Sequence, residues 1–177
     1  MSAVPQMNTA QPQDAATLRD RIAEFQMAYA HRLDDLDVDA WPSFFTPSAK
    51  YVVTTRENVK AGLPIGIVNC VNRGMMEDRV KAFHTANVFE PHTYNHLLGP
   101  VEILEQSGNR CRTRSNFHIV RIMENGRTDL YATGAYHDVI VFADNFLKFQ
   151  ERKVVLGYAA VKLSGRNGHA PRKCSET

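Results

Sequence analysis

Five residues could do acid–base chemistry if the fold brought them together: Tyr29, Asp34, Tyr51, His84 and His96. A histidine steered by an aspartate can move a proton near neutral pH, and phenols can hydrogen-bond a developing oxyanion. Such a set would suit dehydration or isomerisation of a small aromatic or polyketide molecule. The same residues also have a plain structural reading, with Tyr29 and Tyr51 as core aromatics and Asp34 as a solvated acid at a helix end. Metal chemistry finds less support. A Rieske cluster needs paired Cys and His ligands, yet Cys70 is followed by Val-Asn, Cys111 by Arg-Thr and Cys174 by Ser-Glu. A facial-triad iron site needs two His and a carboxylate on one metal. His92 and His96 would point the same way on a strand, but roughly 13 Å apart. No Gly-rich phosphate loop or nucleophile elbow is present. The residues thus assign no metal and no cofactor to this chain.

The elements that must position these groups lie in two halves. The second half is a meander of three apolar-rich runs: Arg112–Met123, Thr128–Phe142 and Phe146–Leu156. Glu124-Asn125-Gly126 between the first two is a hairpin signal, and Ala143-Asp144-Asn145 a weaker one. The middle run is about three times the usual strand length, so it must curl. Gly134 at its centre is the expected bend or bulge. On that run Leu130, Ala132, Gly134, Tyr136, Asp138, Ile140 and Phe142 share one face. Neither face is simply polar, which predicts cover on both. Thr93–Glu105 is a further strand, interrupted at Gly99-Pro100.

The first half supplies one cover. A helix is expected from Asp14 or Thr17, with Leu18, Ile22, Phe25, Tyr29, Leu33 and Leu36 on its apolar stripe. A short helical turn follows over Asp39–Phe45, then strands Tyr51–Thr55 and Ile65–Cys70. A second helix over Arg73–Ala86 packs through Met75, Met76, Val80 and Phe83. The order is α+β. One helix inside a curled mixed or antiparallel sheet gives the cone of the nuclear-transport-factor-2-like (SnoaL-like) fold. Residues 1–13 read as a disordered terminus, 14–156 as one domain and 157–177 as a flexible, divergent tail.

Composition removes other classes. With 21 Lys and Arg against 19 Asp and Glu, the net charge is +2, and no aromatic-interleaved basic stripe marks a nucleic-acid surface. No apolar run reaches membrane-span length. The first residues lack the apolar core of a signal peptide, and three unpatterned cysteines fit a reducing compartment. A cytoplasmic protein is expected.

Tyr29-Ala30 with Leu33-Asp34, Trp41-Pro42-Ser43-Phe44-Phe45-Thr46, and Tyr51-Val52-Val53-Thr54 with Asn58 together resemble the start of the small (β) subunits of aromatic-ring-hydroxylating dioxygenases. Met76-Glu77-Asp78-Arg79 and the block Ala86–Gly99 resemble the branch acting on terephthalate, salicylate and anthranilate. Val120–Met123, Gly134-Ala135-Tyr136 and Gln150-Glu151-Arg152 continue the likeness, which spans residues 20–156. The tail after Leu156 departs from the pattern and is expected to be dispensable.

The resemblance implies a structural, noncatalytic subunit of the terminal oxygenase of a multicomponent aromatic-ring hydroxylase. It implies a trimer of this chain within an α3β3 assembly. There the large subunit would hold a Rieske [2Fe–2S] cluster and mononuclear Fe(II), fed from NAD(P)H through a reductase. Asp78, Arg79, His92, Tyr94 and His96 are then the candidate subunit contacts. The alternative is a stand-alone dehydratase or isomerase of the same fold, with His84 or His96 facing Asp34.

Overall fold

In the computed structural model the described residues are 12–86, 90–143 and 146–157. Of the terminus expected over residues 1–13, residues 1–11 lie outside them, and of the tail expected over 157–177, residues 158–177 do.

Among the described residues, three α-helices and seven strands build an α+β cone. The helices are α1 (Pro12–Asp34), α2 (Arg56–Lys60) and α3 (Arg73–Ala86), with a 3₁₀ turn over Val38–Phe44. The strands are β1 (Phe45–Thr55), β2 (Val68–Cys70), β3 (His92–Leu98), β4 (Glu102–Ser107), β5 (Arg110–Met123), β6 (Thr128–Ala143) and β7 (Phe146–Leu156). They form one sheet in the order β2-β1-β7-β6-β5-β3, with β4 also on β5. All pairs are antiparallel except β1 with β7. The interrupted run Thr93–Glu105 is resolved into β3 and β4, which pair with opposite ends of β5.

Helix α1 crosses the inner face of this sheet. Leu18, Ile22, Gln26, Tyr29 and Ala30 are buried along one stripe. Near its middle Arg21 lies over the Phe142 ring of β6, and at its C-terminal end Asp34 meets His96 of β3. The helix begins at Pro12, ahead of both expected caps. Its stripe stops short of Leu36, which is exposed. Leu36 takes a left-handed φ of 59°. Leu36 N–H donates to the Leu33 carbonyl and Asp37 N–H to that of Arg32. This is a Schellman ending with leucine where glycine is usual, and it turns Leu36 out of the stripe.

Other local expectations change for definable reasons. The strand expected over Ile65–Cys70 shrinks to β2. Pro64 has no N–H to give, and the Ile65 carbonyl accepts from Thr54 Oγ1 and Asn58 Nδ2 instead of joining a ladder. Gly134 carries no bulge: its pairing with β5 runs unbroken through it, and on the other side it is the last residue paired with β7, opposite Leu156. A Cβ there would lie 2.2 Å from the Val155 carbonyl oxygen and 3.1 Å from Phe117. The glycine permits close packing of strand on strand. The irregularities fall on either side: Tyr131 is skipped between Ile119/Ala132 and Val120/Leu130, and Gln150 between Val139/Glu151 and Ile140/Phe149. At the β5–β6 hairpin only Gly126 has positive φ, and its N–H closes a turn on the Met123 carbonyl. On α3, Met76 and Val80 are buried while Met75 and Phe83 are exposed, so half of the expected stripe faces out.

Candidate functional site

The centre of the cone holds a polar cluster in an aromatic shell. Thr113, Asp138, Arg152 and Tyr51 occupy one transverse row across β5, β6, β7 and β1. Inner-face alternation turns Thr113, Asp138 and Arg152 toward α1, where all three are buried. Arg152 donates from Nε to Asp138 Oδ1 and from Nη2 to Asp138 Oδ2, both at 2.9 Å. Gln26 of α1 donates to Asp138 Oδ2 at 3.0 Å and accepts from Ser115 Oγ at 3.1 Å. The guanidinium also sits 4.0–4.3 Å from the ring centres of Phe149, Tyr136 and Tyr29. Burial alone would depress the arginine pKa, but Asp138 more than offsets this and holds it above the ordinary value. A two-point pair with added hydrogen bonds is what makes a buried charge tolerable. The residue types alone contained one clue to this centre, an acid (Asp138) on the apolar inner face of the long strand.

The five acid–base candidates are distributed around this cluster. Tyr29 is buried, and its hydroxyl accepts from Trp41 Nε1 at 3.1 Å. Tyr51 packs edge-on against Trp41 and Phe45. Burial raises the pKa of both phenols, that of Tyr51 well above the usual range. The fold does bring Asp34 and His96 together: Asp34 Oδ1 lies 2.5 Å from His96 Nδ1, and Asp34 Oδ2 accepts from the His96 backbone N–H at 2.9 Å. The two side chains are only 14% and 6% exposed. His84 is elsewhere, on the exposed end of α3, 3.1 Å from Asp39. Tyr136, absent from the candidate set, stacks on Phe117 at 4.2 Å, and its hydroxyl pKa is raised by burial.

The candidate contact residues divide in the same way. Asp78 and Arg79 are exposed on α3, with Asp78 accepting from Lys81 Nζ at 3.1 Å. His92 and Tyr94 stack edge-to-face, and His92 Nε2 lies 3.0 Å from the Tyr94 hydroxyl. The Tyr94 ring also meets Tyr131, and burial pushes its pKa up to about 12. His96 differs from these four because its side chain points inward to Asp34.

The outer face of the sheet carries a cleft of about 770 Å³. Arg110, Arg112, His137 and Lys153 line it with Glu105 and Glu151, over Val139 and Val155. Arg112 donates to Glu105 at 3.1 Å. Partial burial and the cations of Arg114 and Lys153 lower the His137 pKa. Sequence reasoning placed cover on this face but singled out none of these residues.

Among the described residues no three His, Cys, Asp or Glu side chains converge as a metal site. Cys70 and Cys111 are buried separately, with thiol pKa values raised by burial. No described helix is long and apolar enough to cross a membrane. These residues do not fit an iron–sulfur cluster or a mononuclear iron.

Comparison with known proteins adds the following. Residues 28–162 match the family model described as the ring hydroxylating beta subunit. The chain is 34% identical to the anthranilate 1,2-dioxygenase small subunit of Burkholderia cepacia, over 77% of this chain and 85% of that one. It is 37% identical to the terephthalate 1,2-dioxygenase terminal oxygenase component subunit beta 2 of Comamonas sp, over 76% and 88%. A crystal structure from Novosphingobium aromaticivorans DSM 12444, described as the β subunit of an aromatic-ring-hydroxylating dioxygenase, superposes with a TM-score of 0.79. That protein is 28% identical, and the match covers 85% of this chain and 96% of that one.

Proposed function

Because the chain belongs to the ring-hydroxylating β-subunit family, we propose that it is the structural small subunit of a terminal oxygenase acting on an aromatic carboxylate of the anthranilate, salicylate or terephthalate kind. On this reading the chain works in the cytoplasm as a trimer within an α3β3 hetero-hexamer. The large subunit carries the Rieske [2Fe–2S] cluster and mononuclear Fe(II). Electrons reach it from NAD(P)H through a reductase, and substrate oxidation takes place there. This chain would buttress that subunit.

One observation in the molecule carries the reading. The centre of the cone, where an enzyme of this shape would hold substrate, is filled by the chain's own Arg152 in contact with Tyr29, Tyr136 and Phe149. The His96–Asp34 pair keeps a stand-alone dehydratase or isomerase in view, but that chemistry needs substrate at His96, and both side chains are nearly enclosed.

The test is co-expression with a candidate large oxygenase subunit from the same genome, followed by size-exclusion chromatography with light scattering and an iron assay. A hexamer-sized, iron-containing species that includes this chain is expected. A stable iron-free protein that ignores the large subunit, and dehydrates or isomerises a small aromatic by itself, would overturn the reading.

A further inference from the structure

The cleft on the outer face of the sheet gathers charged and apolar groups that the fold itself does not use. Its volume of about 770 Å³ falls within the roughly 300–1,000 Å³ of small-molecule sites. Outward-facing residues of β5, β6 and β7 form its floor. These strands are interior to the sheet, each paired on both edges, so the floor is preformed and loses little entropy when covered. Val139 and Val155 make the floor apolar at its centre. Leu104 of β4 and Val59 of α2 add apolar walls that are 48% and 42% exposed.

Basic groups stand at both ends of this apolar centre. By register, Arg110 of β5 is opposite Val141, Arg112 is opposite Val139, and Arg114, His137 and Lys153 form the next row across β5, β6 and β7. The acids nearby have basic neighbours of their own. Glu105 accepts from Arg112, Glu151 is opposite Lys50 of β1, and Glu102 of β4 is opposite Arg114. Asp138 is held on the inner face by Arg152 and Gln26. Among the described residues Arg110 and Lys153 form no ion pair. These two cations are left unmatched, one at each end of the Val139 floor. Their rows are four residues apart, about 13 Å at the backbone, and two long side chains leaning inward narrow that gap to the reach of one ring. His137 lies between them. Its pKa is lowered first by burial and then by Arg114, so near neutral pH its ring is an uncharged hydrogen-bonding group.

We propose that this cleft binds a flat organic dianion, an aromatic ring with a carboxylate at each end. Arg110 and Lys153 take the two carboxylates, and Val139 and Val155 lie under the ring. His137 adds a hydrogen bond at the Lys153 end. An arginine matches a carboxylate through two parallel N–H groups, and the apolar floor separates such a ligand from a bare inorganic anion. The site is built entirely from this chain, so the inference stands apart from the small-subunit reading.

The experiment is calorimetric titration of the full chain with terephthalate, with the neutral para-benzenedimethanol and inorganic phosphate as comparison ligands. Expected is one saturable terephthalate site per chain, no binding of the neutral diol, and phosphate at least tenfold weaker. The double variant Arg110→Gln, Lys153→Gln should bind terephthalate at least tenfold more weakly while keeping the wild-type mass and melting temperature. Absence of saturable terephthalate binding, or equal affinity in the variant, would overturn the proposal. So would phosphate binding as tightly as terephthalate, which would reduce the cleft to a general anion surface. A variant of lower mass than wild type in light scattering would also overturn it, by making this face a contact between copies. Should the double variant fail to fold, Arg110→Gln alone decides, since Arg110 is exposed; a threefold or greater loss of terephthalate affinity is expected, and no loss would overturn the proposal.

Discussion

Arg152 and Asp138 meet side by side on adjacent strands as a two-point ion pair, with both bonds at 2.9 Å and both side chains out of water. Gln26 ties the pair to α1. The helix is therefore keyed to the sheet by polar groups at the centre of the cone as well as by apolar packing.

Asp138→Asn should cost about 3–5 kcal/mol, because it leaves the guanidinium buried without its counter-charge. Arg152→Met should cost a similar amount. The double variant should cost clearly less than the sum, since each change removes the other's penalty. Urea unfolding of the four proteins checks this, and simple additivity would show that the two side chains are not coupled.

Gly134→Ala should destabilise by about 3 kcal/mol through overpacking, as its Cβ would enter the Val155 carbonyl oxygen. Gly108→Ala, in open space at a φ of 55°, should cost only about 1 kcal/mol. Thermal midpoints for the two variants would expose an error in this ranking.

Leu36→Gly should stabilise the protein by up to about 1 kcal/mol. A left-handed leucine carries a steric cost of roughly 1–2 kcal/mol that glycine does not, set against the greater freedom of glycine when unfolded. The side chain is exposed, so little packing is lost. A lowered denaturation midpoint would contradict this.

Asp34→Ala should cost about 2–3 kcal/mol, because the His96 backbone N–H and ring nitrogen lose their acceptor inside the fold. On the small-subunit reading, turnover per iron of the assembled oxygenase should not change. Loss of turnover in a complex that still assembles would restore a catalytic role for the pair.

His137 makes stability fall on the acid side. Its folded pKa lies below the ordinary 6.5, first from burial and then from the charge of Arg114, with Lys153 and Arg112 adding and Asp138 opposing. The unfolded chain therefore takes up this proton first as pH drops. The contribution is complete above 6.5 and is lost as pH falls from there to the folded value. Wild type should lose more stability than His137→Gln between pH 7.5 and 5. Parallel pH profiles would remove His137 from the account.

The residues alone carried the architecture a long way. Apolar-rich runs bounded by turn residues marked β5, β6 and β7, and Asn125-Gly126 marked the hairpin between the first two. The spacing Leu18, Ile22, Phe25, Tyr29 marked α1. These signals are local, because a strand or helix writes its period into its own residues. The small-subunit resemblance was equally legible, since it lies in contiguous blocks.

What only the tertiary structure decided are relations between distant residues. Gln26 meets Asp138 across 112 positions and Asp34 meets His96 across 62, whereas His84 pairs with Asp39. Nothing in local periodicity encodes which polar side chains converge once a helix is laid across a curled sheet. The same holds for Gly134, whose role depends on the approach of Val155 and Phe117, and for Met75, turned outward by the seating of α3 through Met76 and Val80. Sequence sets which elements form and which faces are apolar. Their packing selects the partner of each buried charge and the apolar side chains that remain in water.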